Sequence, residues 1–447
     1  MRYLVLGLGR QGKGIVEFLL ENNEIVYGYD QKEEKKKDFL KYKNFQWVRE
    51  EDIKKLKNIK NLVVIASAGI NDENPVLKKI NEFFSVISDI EFVYSFIKNT
   101  TIIAVTGTNG KSTTTCLIGE VLLRDKKEIF YGGNLAPGKP AIEAVRLKKE
   151  FNVLEVSSFQ LARIRNFKPN IGILLNISYD HLDWHKSFEE YQRTKIRIFE
   201  NQTEKDFCII NKNLIFNPYF NVHQPIIKIF STDDKLSDAY YDKIKKKFYI
   251  NLEGRTHPII KMEELKFIGK IHSENILATI LVSKILGVKE ENLIEGLKNF
   301  KGLPHRLELV VEKNGIKYIN NSMCTNPTAG TKSLLAFNKK VILITGGKEK
   351  NLPLEDYVKV ISKKARYVIL FGENKERLKK ELLKRNYRNF SLAESLKEAV
   401  IKAKEISKKG DIILFSPAFA SFDYFQDFIE RGEKFKKFVY EIEKDKN

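Results

Sequence analysis

The sequence predicts an α/β protein built as three domains in series. Two observations carry that expectation: short apolar runs alternate with amphipathic helical stretches from end to end, and several of those runs empty directly into glycine-rich turns. A strand that leads through glycines into a helix opens a βαβ unit, so the sheets are expected to be largely parallel.

The elements follow in order. Arg2–Leu6 reads as a buried strand, Lys13–Leu20 as a helix, and Glu24–Tyr29 and Leu62–Ser67 as further strands, which sets a first domain over residues 1–96. Near Asn99–Thr101 the chain restarts with strand Ile102–Val105, continues through Val153–Val156 and Ile171–Leu175, and forms a second domain over 97–303. Within it, Asn211–Glu253 is polar and irregular and reads as short strands or a small lobe. Gly302-Leu303-Pro304 breaks the pattern, and a third domain over 304–447 carries strands Val341–Thr345, Tyr367–Phe371 and Ile412–Phe415 between charged helices. No internal repeat or low-complexity linker interrupts this order.

Composition agrees. A chain of 447 residues holds two to four domains at ~100–200 residues each. Hydrophobic residues at 43% and charged residues at 30% exclude a disordered chain. Cys116, Cys208 and Cys324 make neither a disulfide framework nor a C-x-x-C metal site. The balance of 78 basic to 58 acidic residues gives +20, which raises the question of nucleic acid. The lysines, however, are scattered in small clusters (Lys32–Lys37, Lys245–Lys247, Lys363–Lys364) with acids among or beside most of them, and no aromatic-interleaved basic stripe appears. Solvated helix faces are therefore expected, not a nucleic-acid interface. No apolar run approaches the ~18 residues of a membrane span. A glycine turn stands where a secretory leader would carry its apolar core. These features point to a cytoplasmic protein; small-molecule substrates and a monomer are the accompanying expectation.

Three glycine turns differ in what they say. Gly7-Leu8-Gly9-Arg10-Gln11-Gly12 matches G-x-G-x-x-G, with Asp30 closing the next strand. It reads either as a dinucleotide cradle with Asp30 on a ribose or as a tight turn serving another ligand. Thr106-Gly107-Thr108-Asn109-Gly110-Lys111-Ser112-Thr113 ends like a P-loop, although Val105 stands where the usual first glycine would be. Consecutive backbone N–H groups at a helix start can still cradle phosphates, with Lys111 reaching a β/γ oxygen and the Ser112 hydroxyl reaching Mg²⁺. Thr345-Gly346-Gly347-Lys348-Glu349-Lys350 carries little information alone.

Candidates for chemistry lie downstream. Glu155 in Leu154-Glu155-Val156-Ser157-Ser158-Phe159-Gln160-Leu161 ends a strand, where it reads as a Mg²⁺ ligand or a surface carboxylate. Two of the six histidines fall in Asn176-Ile177-Ser178-Tyr179-Asp180-His181-Leu182-Asp183-Trp184-His185, beside two aspartates. That density marks a site, but no further Cys or His is spaced for zinc, and Mg²⁺ with ATP takes oxygen ligands. Tyr191-Gln192-Arg193-Thr194-Lys195-Ile196-Arg197 reads as a helix on which Lys195, by composition alone, is a surface lysine.

Taken together in this order, T-G-T-N-G-K-S-T, E-V-S-S-F-Q-L, N-I-S-Y-D-H-L-D-W-H, L-P-H-R-L-E (303–308) and S-P-A-F-A-S-F-D (416–423) resemble the Mur ligase family, most closely its D-glutamate-adding members. The resemblance covers essentially the whole chain. It implies an N-terminal Rossmann-like domain for the UDP of a sugar substrate, a central P-loop-type ATPase domain, and a C-terminal Rossmann-like domain for the acceptor. It further implies an ATP-dependent amide ligase of cytoplasmic peptidoglycan synthesis that works through an acyl phosphate on UDP-N-acetylmuramoyl-L-alanine. By resemblance, Gly9, Arg10, Gln11, Asp30, Ser67 and Gly69 would meet the UDP substrate, as would Ser157. The stretch Gly107–Thr113 would hold ATP, with Asn275, Arg306 and Asn321. Ser112 and Glu155 would hold one Mg²⁺, while His181 and a carbamylated Lys195 would support a second. Asn134 would touch the reacting carboxylate or phosphate. Thr325, Lys350, Ser421 and Phe428 would line the acceptor site. ATP contacts from the second domain and acceptor contacts from the third would then have to meet.

The match departs in three places. Gly269-Lys270-Ile271-His272-Ser273-Glu274-Asn275 keeps only part of a G-x-H-N-x-x-N pattern. Leu135-Ala136 replaces Ile-Gly after Gly132-Gly133-Asn134. Asn321-Ser322-Met323 stands where D-S-K is expected, so the lysine that would neutralise a D-glutamate side chain is Met323. Lys348, Lys350 or Lys332 could replace that cation. Otherwise the enzyme is an ATP-dependent ligase or cyclase that joins another carboxylate and amine, with another amino acid or a cofactor precursor as its substrate. A nucleotide sensor without chemistry is the reading of a different class, and Glu155, His181 and Lys195 speak against it.

Overall fold

The computed structural model describes residues 1–181, 184–265, 273–349 and 352–444. Three sheets follow one another along the chain, and the contacts divide it into two compact units. Among the described residues, one unit runs up to residue 300 and the other starts at residue 301.

The first unit holds two sheets. β1 (Arg2–Leu6), β2 (Ile25–Tyr29), β3 (Phe45–Trp47), β4 (Leu62–Ala66) and β5 (Val86–Ser88) form a fully parallel sheet in the order β3-β2-β1-β4-β5. The direction of winding reverses between β1 and β4, so a crevice opens at their carboxyl ends, where the first glycine turn and Ser67 lie. The helix after β1 runs Arg10–Glu21, starting before the Lys13 that apolar periodicity predicts, because the turn residues themselves take helical geometry.

The second sheet has nine strands: β6 (Thr101–Thr106), β7 (Ile129–Gly133), β8 (Phe151–Glu155), β9 (Ile171–Leu174), β10 (Phe207–Asn211), β11 (Ile226–Ser231), β12 (Ala239–Asp242), β13 (Lys247–Leu252) and β14 (Arg255–Lys261). Their order is β14-β13-β12-β11-β10-β9-β6-β8-β7. The body from β7 to β12 is parallel, while β13 and β14 add an antiparallel extension; β11, β12 and β13 are the short strands of the stretch 211–253. The central strands are apolar on both faces, as a sheet covered by helices on each side requires.

Two buried carboxylates stitch the first sheet to the second. The Glu91 carboxylate accepts the backbone N–H groups of Arg165, Asn166 and Phe167, each at 2.9 Å. Asp89 Oδ1 accepts the Gln160 amide at 3.0 Å. Burial pushes Asp89 up to about 6, against bonds from Gln160 and Ile90 that work the other way.

The second unit carries β15 (Glu308–Lys313), β16 (Ile316–Asn320), β17 (Val341–Thr345), β18 (Ala365–Leu370), β19 (Phe390–Leu392) and β20 (Ile412–Phe415) in the order β15-β16-β20-β17-β18-β19, parallel except for β15. The last strand inserts between β16 and β17, which gathers the loops after all three at one edge. No helix among the described residues is long and apolar enough to cross a membrane.

Candidate functional site

In the first sheet the glycine turn is braced from two sides. The Ser67 hydroxyl donates to Gly7 O at 2.6 Å, and a Cβ on Gly12 would lie 2.0 Å from that same oxygen, so position 12 admits only glycine. Asp30 Oδ2 accepts Leu8 N–H at 2.7 Å and Lys35 Nζ at 2.8 Å, and Oδ1 accepts Lys32 N–H. Burial works to raise the Asp30 pKa, but these bonds outweigh it and hold the group below the usual carboxylate range. Asp30 thus anchors the turn through its own backbone. Gly9 and Gly69 stand exposed at the rim with open space where a Cβ would be. Arg10 and Gln11 reach the loop after β7, which carries Asn134.

The second sheet builds a denser cluster. β6 ends at Thr106, and Gly107 and Gly110 take φ of +150° and +86°, the left-handed region that turns the chain into the helix Lys111–Arg124. A Cβ on Gly110 would lie 2.3 Å from Asn275 Oδ1, so the buried Asn275 packs directly on the loop. Lys111 Nζ folds back to Gly107 O at 2.9 Å and Thr108 O at 3.1 Å. Ser112 is buried at the helix start, Thr113 is half-buried, and Asn109 is exposed at the loop tip.

Lys195 is the main correction to the compositional reading. It is 1% exposed, on the helix Phe188–Ile196, and its Nζ donates to Gly107 O at 2.9 Å, the same carbonyl that Lys111 uses. Burial first, and Lys111 second, push the Lys195 pKa well below the ordinary lysine value, while Asp180 and Glu155 oppose them. Losing its proton therefore costs Lys195 less than it costs an exposed lysine. Tyr191, one helical turn earlier, lies under the ammonium at 4.7 Å and shares a 3.1 Å hydrogen bond with the Thr108 hydroxyl.

Glu155 ends β8 with 4% exposure, and its Oε2 has no hydrogen-bond partner. An orphaned buried carboxylate oxygen is costly unless a cation or proton meets it. With the Ser112 hydroxyl it offers hard oxygen donors, the chemistry that suits Mg²⁺. Among the described residues no three His, Cys, Asp or Glu side chains converge as a metal site by themselves. Any ion here would need oxygens from phosphate or from a modified lysine. Asn134 donates its N–H to Glu155 O at 2.9 Å. Ser157 is buried and spent in a reciprocal cap with Gln160. His181, at φ +54°, lies beside Asp180 at 3.7 Å and edge-on to Phe159 at 4.8 Å.

Sequence reasoning missed several supports. Asn176 exchanges hydrogen bonds with the Asn109 backbone (2.9 and 3.2 Å) and donates to Glu274 at 2.8 Å, and Asn211 donates to the other Glu274 oxygen. His185, 1% exposed, meets Ser158 Oγ at 3.0 Å and so pins the His181 segment to the loop after β8. Asn176 and Tyr191 sit inside motifs already singled out, and the i, i+4 spacing from Tyr191 to Lys195 was a signal for their contact.

In the second unit, Arg306 Nη2 lies 3.4 Å from Met323 Sδ. Asn321 is buried: its Oδ1 accepts Leu307 N–H at 3.1 Å, and its Nδ2 donates to the Ser333 hydroxyl at 2.6 Å and the Ser416 hydroxyl at 3.1 Å. Its amide is thus fully engaged within the fold. Thr325 is half-buried and Ser421 buried, and Phe428 O accepts the Ser322 hydroxyl at 2.7 Å. Lys350 lies outside the described residues, as does the Gly269–His272 part of the altered pattern. Unforeseen is Arg431, fully buried, which donates to Ser322 Oγ, Ser322 O and Phe419 O at 2.8–3.1 Å. Burial lowers its pKa to about 10, with Asp423 and Cys324 acting in the other direction.

Comparison with known proteins adds to this geometry. Residues 105–283 match the Mur ligase middle domain and residues 305–419 the Mur ligase glutamate ligase domain. The UDP-N-acetylmuramoylalanine–D-glutamate ligase of Caldicellulosiruptor bescii is 36% identical over 448 residues, covering 98% of this chain and 97% of that protein. The enzyme of the same name from Aquifex aeolicus is 37% identical over 445 residues, with 98% of each covered. Among solved structures, UDP-N-acetylmuramate-alanine ligase from Thermotoga maritima superposes with a TM-score of 0.59 over the full length of both chains at 19% identity, a likeness of fold.

Proposed function

The chain belongs to the Mur ligase family, and from that premise we propose that it is the ATP-dependent ligase that joins D-glutamate to UDP-N-acetylmuramoyl-L-alanine in cytoplasmic peptidoglycan precursor synthesis. The observation that carries the reading is the cluster at the end of β6. There two lysines share the Gly107 carbonyl beside a buried carboxylate that has an unpartnered oxygen.

An oxygen of the substrate's alanyl carboxylate attacks the γ-phosphorus of ATP, the bond to the bridging oxygen breaks, and ADP leaves. The acceptor amine then attacks the acyl carbon of the acyl phosphate, the nitrogen gives up a proton, and inorganic phosphate departs as hydrogen phosphate to leave an amide. Such a reaction is accelerated mainly by positioning and by neutralising charge. The N–H groups of the loop 107–112 and the helix start receive phosphate oxygens, and Lys111 trades its two carbonyl bonds for them. Ser112 and Glu155 would hold Mg²⁺, and His181 with Lys195 a second ion; when bound, Mg²⁺ neutralises phosphate charge. Once deprotonated, the Lys195 amine can attack CO₂ through its lone pair and lose a further proton, becoming a carbamate whose negative charge Lys111 attracts, where the ammonium form would be repelled by Lys111.

The remaining assignments follow the same reading. Residues 1–96 would take the UDP-sugar at the braced glycine turn, 97–303 the nucleotide with Asn275, and 304–447 the acceptor with Thr325, Lys350, Ser421 and Phe428. Arg306 would reach the ATP. The saturated Asn321 amide fits a framework role better than a direct nucleotide contact.

The test is phosphate release from ATP with Mg²⁺ and UDP-N-acetylmuramoyl-L-alanine, adding amino acids one at a time. Release that depends on D-glutamate, with a product of the expected mass, is the expected result. Release with another amino acid would reassign the acceptor to the pocket around Met323, and no release with any acceptor would overturn the UDP-sugar assignment.

A further inference from the structure

Arg10 belongs to the glycine turn of the first sheet, yet its guanidinium is bonded to the second. Nη1 donates to the carbonyls of Leu135 and Gly138, at 2.7 Å to the latter, and Nη2 reaches Gly133 O at 3.4 Å. Beside it, Gln11 Nε2 donates to Gly133 O, and Gln11 Oε1 accepts Ala141 N–H at 3.0 Å. The turn expected to receive a diphosphate is therefore tied to the loop that carries Asn134, whose own N–H is bonded to Glu155 O.

The two ties differ in kind. Gln11 is neutral, 9% exposed, and bonded on both sides of its amide. Arg10 is an exposed cation held by neutral carbonyls. Among the described residues it forms no ion pair within 4 Å, and its charge is felt only at longer range by Glu155 and Asp89. A guanidinium presents a rigid fork of donors that matches phosphate oxygens, and its bonds to an anion are about twice as strong as those to a neutral carbonyl. A diphosphate at the turn would therefore compete with the loop carbonyls for this side chain and draw it away from them.

We propose that Arg10 is a positioning residue that couples occupancy of the glycine turn to the loop 133–138, yielding its carbonyl bonds to the substrate diphosphate while Gln11 keeps the base of the loop fixed at Gly133 and Ala141. Acting through that loop, it sets where Asn134 stands beside Glu155. The inference rests on the reading of the turn as the diphosphate site.

The experiment uses the full chain with UDP as probe, pairing calorimetry with amide hydrogen exchange of residues 133–141, for the wild type, Arg10→Ala and Arg10→Lys. UDP is expected to bind the wild type and to speed exchange at 134–138 while Ala141, held by Gln11, stays protected. Arg10→Ala should show the fast pattern without UDP and no further change with it. In turnover, Arg10→Ala should raise KM for the UDP-sugar by about tenfold, the loss of one charged hydrogen bond, and lower kcat as well, with added guanidinium ion restoring part of both. Arg10→Lys, which keeps the charge without the fork, should recover KM more than kcat. UDP binding that leaves exchange at 134–138 unchanged, or wild-type exchange in both variants, would overturn the coupling while leaving the site assignment intact. Absence of UDP binding in the wild type would overturn the site assignment, and the coupling with it.

Discussion

The carboxyl edges of the second and third sheets are built on opposite plans. Around the loop 107–112, charge and acceptors are left unspent: Glu155 Oε2 and Asn275 Oδ1 are buried without partners, and two lysines crowd one carbonyl. Around the loop after β16, the buried groups serve one another, with the Asn321 amide fully bonded and Arg431 stapling Ser322 to Phe419. On the proposed function the difference teaches how each edge would recognise: a polyphosphate and its cation would complete a set of buried groups that the fold leaves unsatisfied, whereas a small acceptor would meet a surface already rigid. Stability and activity should therefore respond differently to substitutions at the two edges.

The largest effect is expected at the unspent edge. Lys195→Ala should lower kcat by on the order of 10²–10³-fold, as loss of one preorganised electrostatic group does, with melting temperature little changed. A short carboxylate such as formate should restore part of the rate, and full activity without it would remove the carbamate role and blur the contrast. At the saturated edge the order reverses. Asn321→Leu strands the Leu307 N–H and removes the partner of two hydroxyls, at roughly 1–3 kcal/mol per buried group left unpaired, so thermal unfolding should shift down by several degrees. Asn321→Asp should be milder, because the Ser416 hydroxyl can turn to donate. Equal melting temperatures for the wild type and Asn321→Leu would break the comparison. Smaller again, Gly110→Ala must hold a left-handed φ at a cost of ~1–2 kcal/mol and presses on Asn275. KM for ATP should rise roughly tenfold while KM for the acceptor stays put.

The smallest effect is on pH dependence. Asp89 has its folded pKa raised to about 6 from 3.8. For an acid raised in the folded state, the stabilising contribution is complete below the unfolded value and is lost as pH rises through the folded one. Between pH 4 and pH 7 the wild type should therefore lose stability that Asp89→Asn does not. Parallel unfolding curves for the two across that window would place the carboxylate in contact with water.

Much of this was legible in the sequence. The strands at Arg2–Leu6, Val341–Thr345 and Ile412–Phe415 fall where apolar runs place them, because a strand covered on both faces must be apolar throughout. The loop 107–112 was legible since its glycines answer a backbone need that few other sequences satisfy. The burial of Lys195 was not, because helical periodicity cannot distinguish a lysine on a polar stripe from one aimed at a carbonyl 88 residues earlier. The Asn176–Glu274–Asn211 set was hidden for the same reason: its members are distant in sequence and leave no local period. Arg431 reads as one more surface charge until the carbonyls that surround it are known.

The Glu91 carboxylate, closing on three successive N–H groups of the loop 165–167, has a metrical consequence. With the Asp89–Gln160 bond it fixes the span between the first glycine turn and the loop 107–112 within one compact unit. On the proposed function that span would work as a gauge: a sugar nucleotide whose carboxyl arm is one residue too short would seat its diphosphate at the first turn and still present its carboxylate short of the loop 107–112, so the distance between two sheets would select for substrate length.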